Sequence, residues 1–170
     1  NKGEILIFAG TQLSSVFYLQ KGFVKQYTIN DKGNEIILNT FKPGTYFPMS
    51  NALNDLLSEY YFEADSDIEV WVAPTDKVIK FLHNNPDILF DLLKRVYRGT
   101  DGIFQRMSYL MSGRAYLRLV IELLIQVKRF GVKINEGSFR LNFTEGDLAA
   151  FSGLTRETVS REMKELKDKG

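Results

Sequence analysis

The sequence has no cysteine and only one histidine, His83, among its 170 residues. Without thiolates, these residues cannot hold an iron–sulfur cluster or a cysteine zinc site, nor supply a cysteine nucleophile. One imidazole is too few for a metal site built from several histidines. We therefore expect no metal site. The absence of thiols also fits a reducing cytoplasm.

Long apolar runs are missing as well. A helix that crosses a bilayer needs about 18 consecutive apolar residues, and the sequence contains no such run. The chain begins at Asn1 with no basic and apolar leader. Hydrophobic residues make up 44% and charged residues 25%, which is typical of a globular protein. We expect a cytoplasmic protein with no membrane partner.

Charge is distributed unevenly along the chain. Residues 1–112 contain 11 basic and 13 acidic side chains, a net charge of −2. Residues 113–170 contain 11 basic and 8 acidic side chains, a net charge of +3. A modest basic excess permits nucleic-acid binding by the C-terminal third but does not require it.

The first half of the chain has the pattern of antiparallel strands. Short apolar or alternating runs read EILIF, VFYLQ, FVKQYTI and EIILNTF, with glycine-bearing turns between them. Another run, IEVWVAP, spans Ile68 to Pro74 after a less regular stretch. Such runs predict hairpins in a β-sandwich or barrel that closes near Pro74.

Beyond Pro86 the periodicity becomes helical. Apolar residues and one threonine recur at steps of three and four along this helix: Leu93, Val96, Thr100, Ile103, Met107 and Leu110. This seam predicts a helix that pairs with another helix, although it could instead cover its own β-domain. A second helix, Arg114 to about Arg129, is apolar nearly all round and is therefore expected to be deeply buried. The run SFRLNF then predicts a strand.

The last thirty residues predict two short helices joined by a tight turn. Thr144 stands three residues before Asp147, as in a box that caps a first helix. Gly153 interrupts the pattern, and Thr155 can cap a second helix. Ala149 is small, which allows the two helices to cross closely.

Polar and apolar residues of this second helix lie on different sides at about 100° per residue. The apolar side holds Val159, Met163 and Leu166, and the polar side holds Arg156, Glu157, Ser160, Arg161 and Lys164. Arginine donates to guanine O6 and N7, glutamate accepts from cytosine N4, and a serine hydroxyl can donate or accept. These are the hydrogen bonds by which proteins read the major groove. An amphipathic helix whose charged side only faces water would show the same spacing. The turn, the preceding helix and the local basic charge favour a DNA-binding helix instead.

The segment FTEGDLAAFSGLTRETVSREMKEL resembles the helix-turn-helix of the Crp/Fnr family of bacterial transcription regulators. Upstream, GEILIFAG, FYLQKGFVKQYTINDKGNEIILNTFKPG and NPDIL are similar to that family's β-roll and dimerisation helix. The resemblance implies an α+β chain. Its parts are an effector-sensing antiparallel β-roll (a double-stranded β-helix of cyclic-nucleotide-binding type) at 1–85, a dimerisation helix at 86–112 and a winged helix-turn-helix at 113–170, with the wing continuing past Gly170.

The same resemblance implies a homodimer on a two-fold DNA operator, with RNA polymerase as a further partner. The base-reading positions of the family fall on Arg156, Glu157, Ser160 and Arg161. Its phosphate-holding positions fall on or near Thr155, Thr158 and Lys164. An effector in the roll would shift the two reading helices.

The effector itself is unknown from the sequence. Cyclic-nucleotide members pair the phosphate with an arginine, but GTYFPMSNALNDLLSEYYFEA contains none, and its acids Asp55, Glu59 and Glu63 would repel a phosphate. Cyclic AMP is therefore not expected. The aromatic residues here either fill the core or line a pocket for a small apolar effector. The candidate lining residues are Tyr46, Phe47, Met49 and Tyr61. A haem group with His83 or Met49 as its ligand is a further alternative.

Two other classes compete with a DNA-binding regulator. A ligand-binding sensor whose helical end contacts proteins would also suit the near-neutral overall charge of +1. An enzyme of cupin type would need clustered histidine ligands, so we expect no enzymatic activity.

Overall fold

The structure is a computed structural model and describes residues 1–169, apart from the side chain of Ser112. The chain divides into two compact units, one of residues Asn1–Val96 and one from Tyr97 onward. This division falls inside the predicted dimerisation helix. The α+β class is confirmed: strands dominate the N-terminal unit and helices the C-terminal unit.

Seven strands form two antiparallel sheets in the described N-terminal unit. They are β1 (Ile5–Ile7), β2 (Ser15–Lys21), β3 (Val24–Ile29), β4 (Glu35–Phe41), β5 (Tyr46–Phe47), β6 (Tyr61–Ala64) and β7 (Glu69–Pro74). One sheet has the order β1-β6-β3-β4 and the other β5-β2-β7. The strands expected from the alternating runs are confirmed. β5 and β6 lie in the stretch whose sequence pattern is irregular.

The core of this unit lies between the two sheets. Leu19, Val24, Phe47 and Phe62 are almost fully buried there. The turn between β2 and β3 depends on Gly22, whose φ is +80°. A Cβ at this position would collide with the carbonyl oxygen of Asp67, so the turn requires glycine on both steric and conformational grounds.

Three helices accompany the strands: α1 (Met49–Asn54), α2 (Thr75–Asn84) and α3 (Pro86–Ser112). α3 confirms the helix expected after Pro86, and it runs without interruption through Gly99 and Gly102. α2 was not expected. Its signal is local, since Asp76 lies in the first turn and Val78, Phe81 and Leu82 follow at helical spacing.

The C-terminal unit continues with α4 (Ala115–Phe130), a hairpin of β8 (Val132–Asn135) and β9 (Ser138–Arg140), α5 (Glu145–Ser152) and α6 (Arg156–Asp168). The expectation that α4 is deeply buried all round is wrong. Its fully buried face contains Leu119 together with Glu122 and Gln126, whereas Leu117 and Leu124 are exposed. Arg106 supplies a charged partner for Glu122, so this polar face can be buried.

Residues 145–168 fold as the two helices and the turn that the sequence predicts. The predicted wing lies outside the described residues. Within residues 1–169 no helix combines the length and the hydropathy needed to cross a membrane.

Candidate nucleic-acid interface

The first helix of the motif, α5, begins with a capping box. The Thr144 hydroxyl accepts from the backbone N–H of Asp147 at 3.2 Å. In return, the Asp147 carboxylate accepts from the backbone N–H of Thr144 at 2.7 Å. Both bonds satisfy donors that the first turn would otherwise leave unpaired. The box confirms the interpretation of these two residues and fixes where α5 starts.

The turn after α5 is closed by Gly153 and braced by Arg118. Gly153 has a φ of +61°, a left-handed conformation that favours glycine. The Arg118 Nη2 donates to the carbonyl oxygens of Ser152 at 2.6 Å and of Gly153 at 3.2 Å. Because C-terminal carbonyls of a helix lack partners within the helix, this guanidinium stabilises the turn.

The second helix, α6, begins at the Thr155 cap, where the Thr155 hydroxyl accepts from the Thr158 N–H at 3.3 Å. Its apolar side is anchored by Val159, which is fully buried against Leu119, Leu148 and Ala149. Residues of α4, α5 and α6 therefore share one core. This packing fixes the rotation of α6 about its own axis and so decides which side chains face solvent.

The opposite side of α6 is open to solvent. Arg156, Glu157, Ser160 and Arg161, the predicted base-reading residues, are all exposed. Of the predicted phosphate contacts, Thr155 and Lys164 are exposed and Thr158 is half-buried. The Thr158 hydroxyl lies 3.1 Å from that of Thr155. The structure thus places the seven residues on and beside one accessible face, while their contacts with DNA stay a prediction.

Two of these side chains are held in defined states. The Arg161 guanidinium donates to one Glu162 oxygen from Nη2 at 2.8 Å and from Nε at 3.1 Å. Its side chain nevertheless remains 71% exposed, whereas that of Glu162 is 9% exposed. The Glu157 carboxylate has a lowered pKa, because its own backbone N–H and then the Thr155 hydroxyl donate to it. Glu157 therefore lies on the exposed side of α6 as a carboxylate whose charged form is stabilised by these two donors.

A buried polar cluster links α3 to this motif, and no pattern in the sequence indicated it. The Arg106 Nε donates to the Glu122 carboxylate at 3.2 Å, and Gln126 donates to the other oxygen at 2.6 Å. Arg106 also donates to the carbonyl oxygen of Phe151, in the last turn of α5. One arginine of α3 therefore contacts both α4 and the helix that precedes the turn.

The predicted dimer seam is exposed along most of α3. Val96 is 54% exposed and Ile103 59%, and Leu93 and Met107 are exposed to a similar degree. Thr100 and Leu110 are half-buried. Large apolar side chains normally avoid water, and a stripe of them along one helix marks an interaction surface.

Comparison with known families agrees with both units. Residues 1–85 match the cyclic nucleotide-binding domain, and residues 118–170 match the Crp-like helix-turn-helix domain. The chain belongs to the Crp/Fnr family. The similarity covers all seven strands of the N-terminal unit and the helices α5 and α6.

Relatives of known name are similar at moderate identity. The global nitrogen regulator of Nostoc sp. is 27% identical over 99% of this chain and 77% of its own length. The anaerobic regulatory protein of Haemophilus influenzae is 26% identical over 94% of this chain, which spans 62% of that protein. A solved CRP/FNR family regulator from Thermus thermophilus shares the fold with a TM-score of 0.80 at 24% identity, covering 100% of this chain and 84% of that one.

The predicted effector residues do not line one pocket. Tyr46 and Met49 line a cavity beside α2 and α3, whereas Phe47 and Tyr61 line neither this cavity nor a second one between α1 and the β1–β2 turn. Phe47 is fully buried and stacks on Phe62 with ring centres 5.7 Å apart. Tyr61 stacks on Tyr27 at 5.2 Å. For Phe47, core filling is the interpretation that its burial supports.

The acids near this region differ in their surroundings. Glu63 forms an ion pair with Lys25 at 3.1 Å, and Asp55 accepts from Gln12 at 2.8 Å. Glu59 is exposed. Lys25 also pairs with Glu35 at 2.9 Å, so its single charge is shared between two carboxylates. The region still contains no arginine to pair with a cyclic phosphate.

Proposed function

We propose that this chain is the sensing and DNA-reading part of a transcription regulator that binds a palindromic operator. The observation that carries the proposal is the exposed polar side of α6, held outward by the buried Val159. In this proposal Arg156, Glu157, Ser160 and Arg161 read base edges in the major groove. A helix presented in this way is the reading element of helix-turn-helix proteins.

Three further residues are proposed to contact phosphates: Thr155, Thr158 and Lys164. Thr155 and Thr158 lie at the N-terminus of α6, where backbone N–H groups and the helix dipole also favour an anion. Lys164 adds a positive charge two turns further along the helix. Such contacts set the register of the helix on the duplex without reading sequence.

A homodimer is proposed through the seam of α3. A second copy of the same helix would cover Leu93, Val96, Ile103 and Met107, which a single chain leaves in water. A two-fold pair of reading helices matches half-sites about 34 Å apart, one turn of B-DNA. The symmetry of the protein would then appear as a palindrome in the operator.

We further propose that a small molecule regulates the protein. Effector binding near the roll would act on α3 and so on the spacing of the reading helices.

The compartment and a further partner belong to the same proposal. We expect the protein to act in the bacterial cytoplasm, where operator DNA and RNA polymerase are found. The similar proteins support this proposal, because two are named as regulators and the solved Thermus thermophilus protein is described as a transcriptional regulator. We do not expect cyclic AMP as the effector, because no arginine lies between Gly44 and Ala64.

Selection of DNA from a random pool tests the proposed function. The chain should enrich a palindromic sequence, and its affinity for that sequence should fall steeply as salt concentration rises, because bound phosphates release counterions. Parallel selections with and without cell extract would show whether a ligand is required. Recovery of unenriched DNA, with no salt-dependent binding, would instead support a helical end that contacts proteins.

A further inference from the structure

A cavity of about 360 Å³ lies in the N-terminal unit beside α2 and the first turns of α3. Its apolar lining comes from the roll and from both helices: Tyr46, Met49, Ala73, Phe81, Ile88 and Leu92. Cavities that bind small molecules have about this volume or more and are mostly apolar, with a few polar groups that orient the ligand. The cavity meets both conditions.

The polar groups of the cavity carry a net positive charge. Lys77, Asp91 and Arg95 contribute to its wall, two cations against one anion. The Arg95 Nε donates to Asp91 at 2.7 Å. Within residues 1–169 the two terminal nitrogens of Arg95 make no hydrogen bond, and Lys77 has no charged partner. These donors are available to an anionic group.

The cavity and the dimer seam use different faces of α3. Ile88, Asp91 and Arg95 follow each other at steps of three and four, and at about 100° per residue their face is turned roughly 100° from that of the seam. A partner helix on Leu93 and Val96 would therefore leave the cavity wall in place. An occupant would contact the roll and α3 at once, so its binding energy would depend on how α3 packs on the roll.

We propose that this cavity is a binding site for a small, largely apolar molecule with one carboxylate group. The apolar part packs among Tyr46, Phe81 and Leu92, and the carboxylate faces Arg95 and Lys77. The ligand would be the effector of the proposed regulator, and only this last step rests on the proposed function. The roll interior, filled by the stacked rings of Phe47 and Phe62, is a different place.

The single tryptophan of the chain provides a reporter that needs no DNA. Trp71 lies two residues before Ala73 on β7, and alternate residues of a strand share a face. Its ring centre is 5.6 Å from that of Tyr18, which is 4.8 Å from that of Tyr46 in the cavity wall. Since these aromatic rings are in contact, occupancy of the cavity should change Trp71 fluorescence.

The test titrates the full chain with 3-phenylpropanoate, its neutral amide and the corresponding amine, following Trp71 fluorescence and calorimetry. We expect saturable binding in the order carboxylate, amide, amine. Arg95→Gln should weaken carboxylate binding about two- to fivefold, as an exposed charge pair would give, and leave amide binding unchanged. As a control, Arg98→Gln also removes one positive charge, one turn further along α3 and outside the cavity wall. It should change neither the carboxylate affinity nor the amide affinity.

Two further kinds of variant separate a binding site from a folding defect. Asp91→Asn removes the competing carboxylate and should strengthen carboxylate binding, which a damaged fold would not do. Ala73→Leu and, independently, Ile88→Trp should fill the cavity and abolish binding of all three probes.

Three outcomes would overturn the proposed site: equal affinities for carboxylate and amine, binding that survives both filling variants, or no saturable binding at all. Binding without any change in operator affinity would keep the site and reject only its role as effector site.

Discussion

The Arg106 guanidinium lies 3.2 Å from the Glu122 carboxylate, and both side chains are largely removed from water. Arg106 belongs to α3, which carries the proposed dimer seam, and Glu122 belongs to α4. The same arginine donates to the carbonyl oxygen of Phe151, next to the turn that precedes α6. A movement of this part of α3 would therefore break polar contacts with α4 and α5 together.

Replacing Arg106 by leucine should destabilise the fold. Glu122 is 2% exposed and would keep only the Gln126 bond, and removing one partner of a buried ion pair costs about 3 kcal/mol or more. Urea unfolding measures the loss. The double variant Arg106→Leu/Glu122→Leu is the control, and it should regain most of the stability because the buried carboxylate is removed together with its partner. A single variant as stable as the wild type would contradict the buried pair.

Replacing Arg161 by alanine should weaken operator binding by about 1–3 kcal/mol and relax the preference at one base pair. Arg161→Lys keeps the charge but loses the planar fork, so it should retain salt-dependent binding and still lose preference. Lys32→Ala, in the turn between β3 and β4, is the control for removing one positive charge. The measurement is the operator affinity of each variant and of the wild type at a single salt concentration. Equal operator binding by Arg161→Ala and the wild type would count against base reading.

Replacing Ile103 by glutamate should convert a dimer into monomers. The side chain is 59% exposed in a single chain, so the substitution should hardly change the stability of the monomer. In a dimer, the new charges would be brought together in an apolar seam. Sedimentation velocity measures the change. Lys94→Glu, on another face of α3, should leave the dimer intact, and an unchanged dimer for Ile103→Glu would exclude this seam.

Replacing Thr144 by alanine should lower the stability of the C-terminal unit by about 1 kcal/mol. The substitution removes the hydroxyl that accepts from the Asp147 N–H, and lost caps typically cost about that much. Thermal unfolding of the two proteins gives the difference. Thr144→Ser retains the oxygen and should cost less, so equal losses for both variants would mean that the cap contributes nothing.

The Glu157 carboxyl should titrate below its ordinary range, and Thr155→Val should raise its pKa towards that range. The folded pKa is lowered by the Glu157 N–H and the Thr155 hydroxyl. Because the pKa is lower in the folded state, the Glu157 carboxylate stabilises that state at pH values above the unfolded pKa. This stabilisation is lost as pH falls through the folded pKa. Carbon-detected NMR of the carboxyl follows this titration. Thr158→Val is the control and should leave the midpoint unchanged; a wild-type midpoint in the ordinary range would refute the two bonds.

The helix-turn-helix motif could be predicted from the sequence because its signals are local. Thr144 and Asp147 are three residues apart, Gly153 occupies a left-handed position, and Val159 and Met163 repeat at helical spacing. The exposed side of α6 follows from that spacing once Val159 is assigned to the core. The β-strands before Phe41 and the helix after Pro86 were predictable for the same reason.

The surroundings of α4 and the effector region could not be predicted in this way. A nearly continuous apolar run predicted burial all round, but α4 buries Glu122 and Gln126 and exposes Leu124. Glu122 can be buried because Arg106, 16 residues away, lies beside it. Likewise, Tyr46 and Phe47 are adjacent in the chain, yet one lines a cavity and the other fills the core, because successive strand residues point to opposite faces.

The sequence by itself determined which side of α6 is polar, where its caps and turn lie, and which stripe of α3 is apolar. These properties depend on residues within a few positions of one another, so the helical repeat and local hydrogen bonding suffice to specify them. Only the tertiary structure decided which charges are buried together and which residues of the roll, α2 and α3 enclose a cavity. Those outcomes depend on contacts between residues distant in the chain, and the spacing of residues along the chain does not specify such contacts.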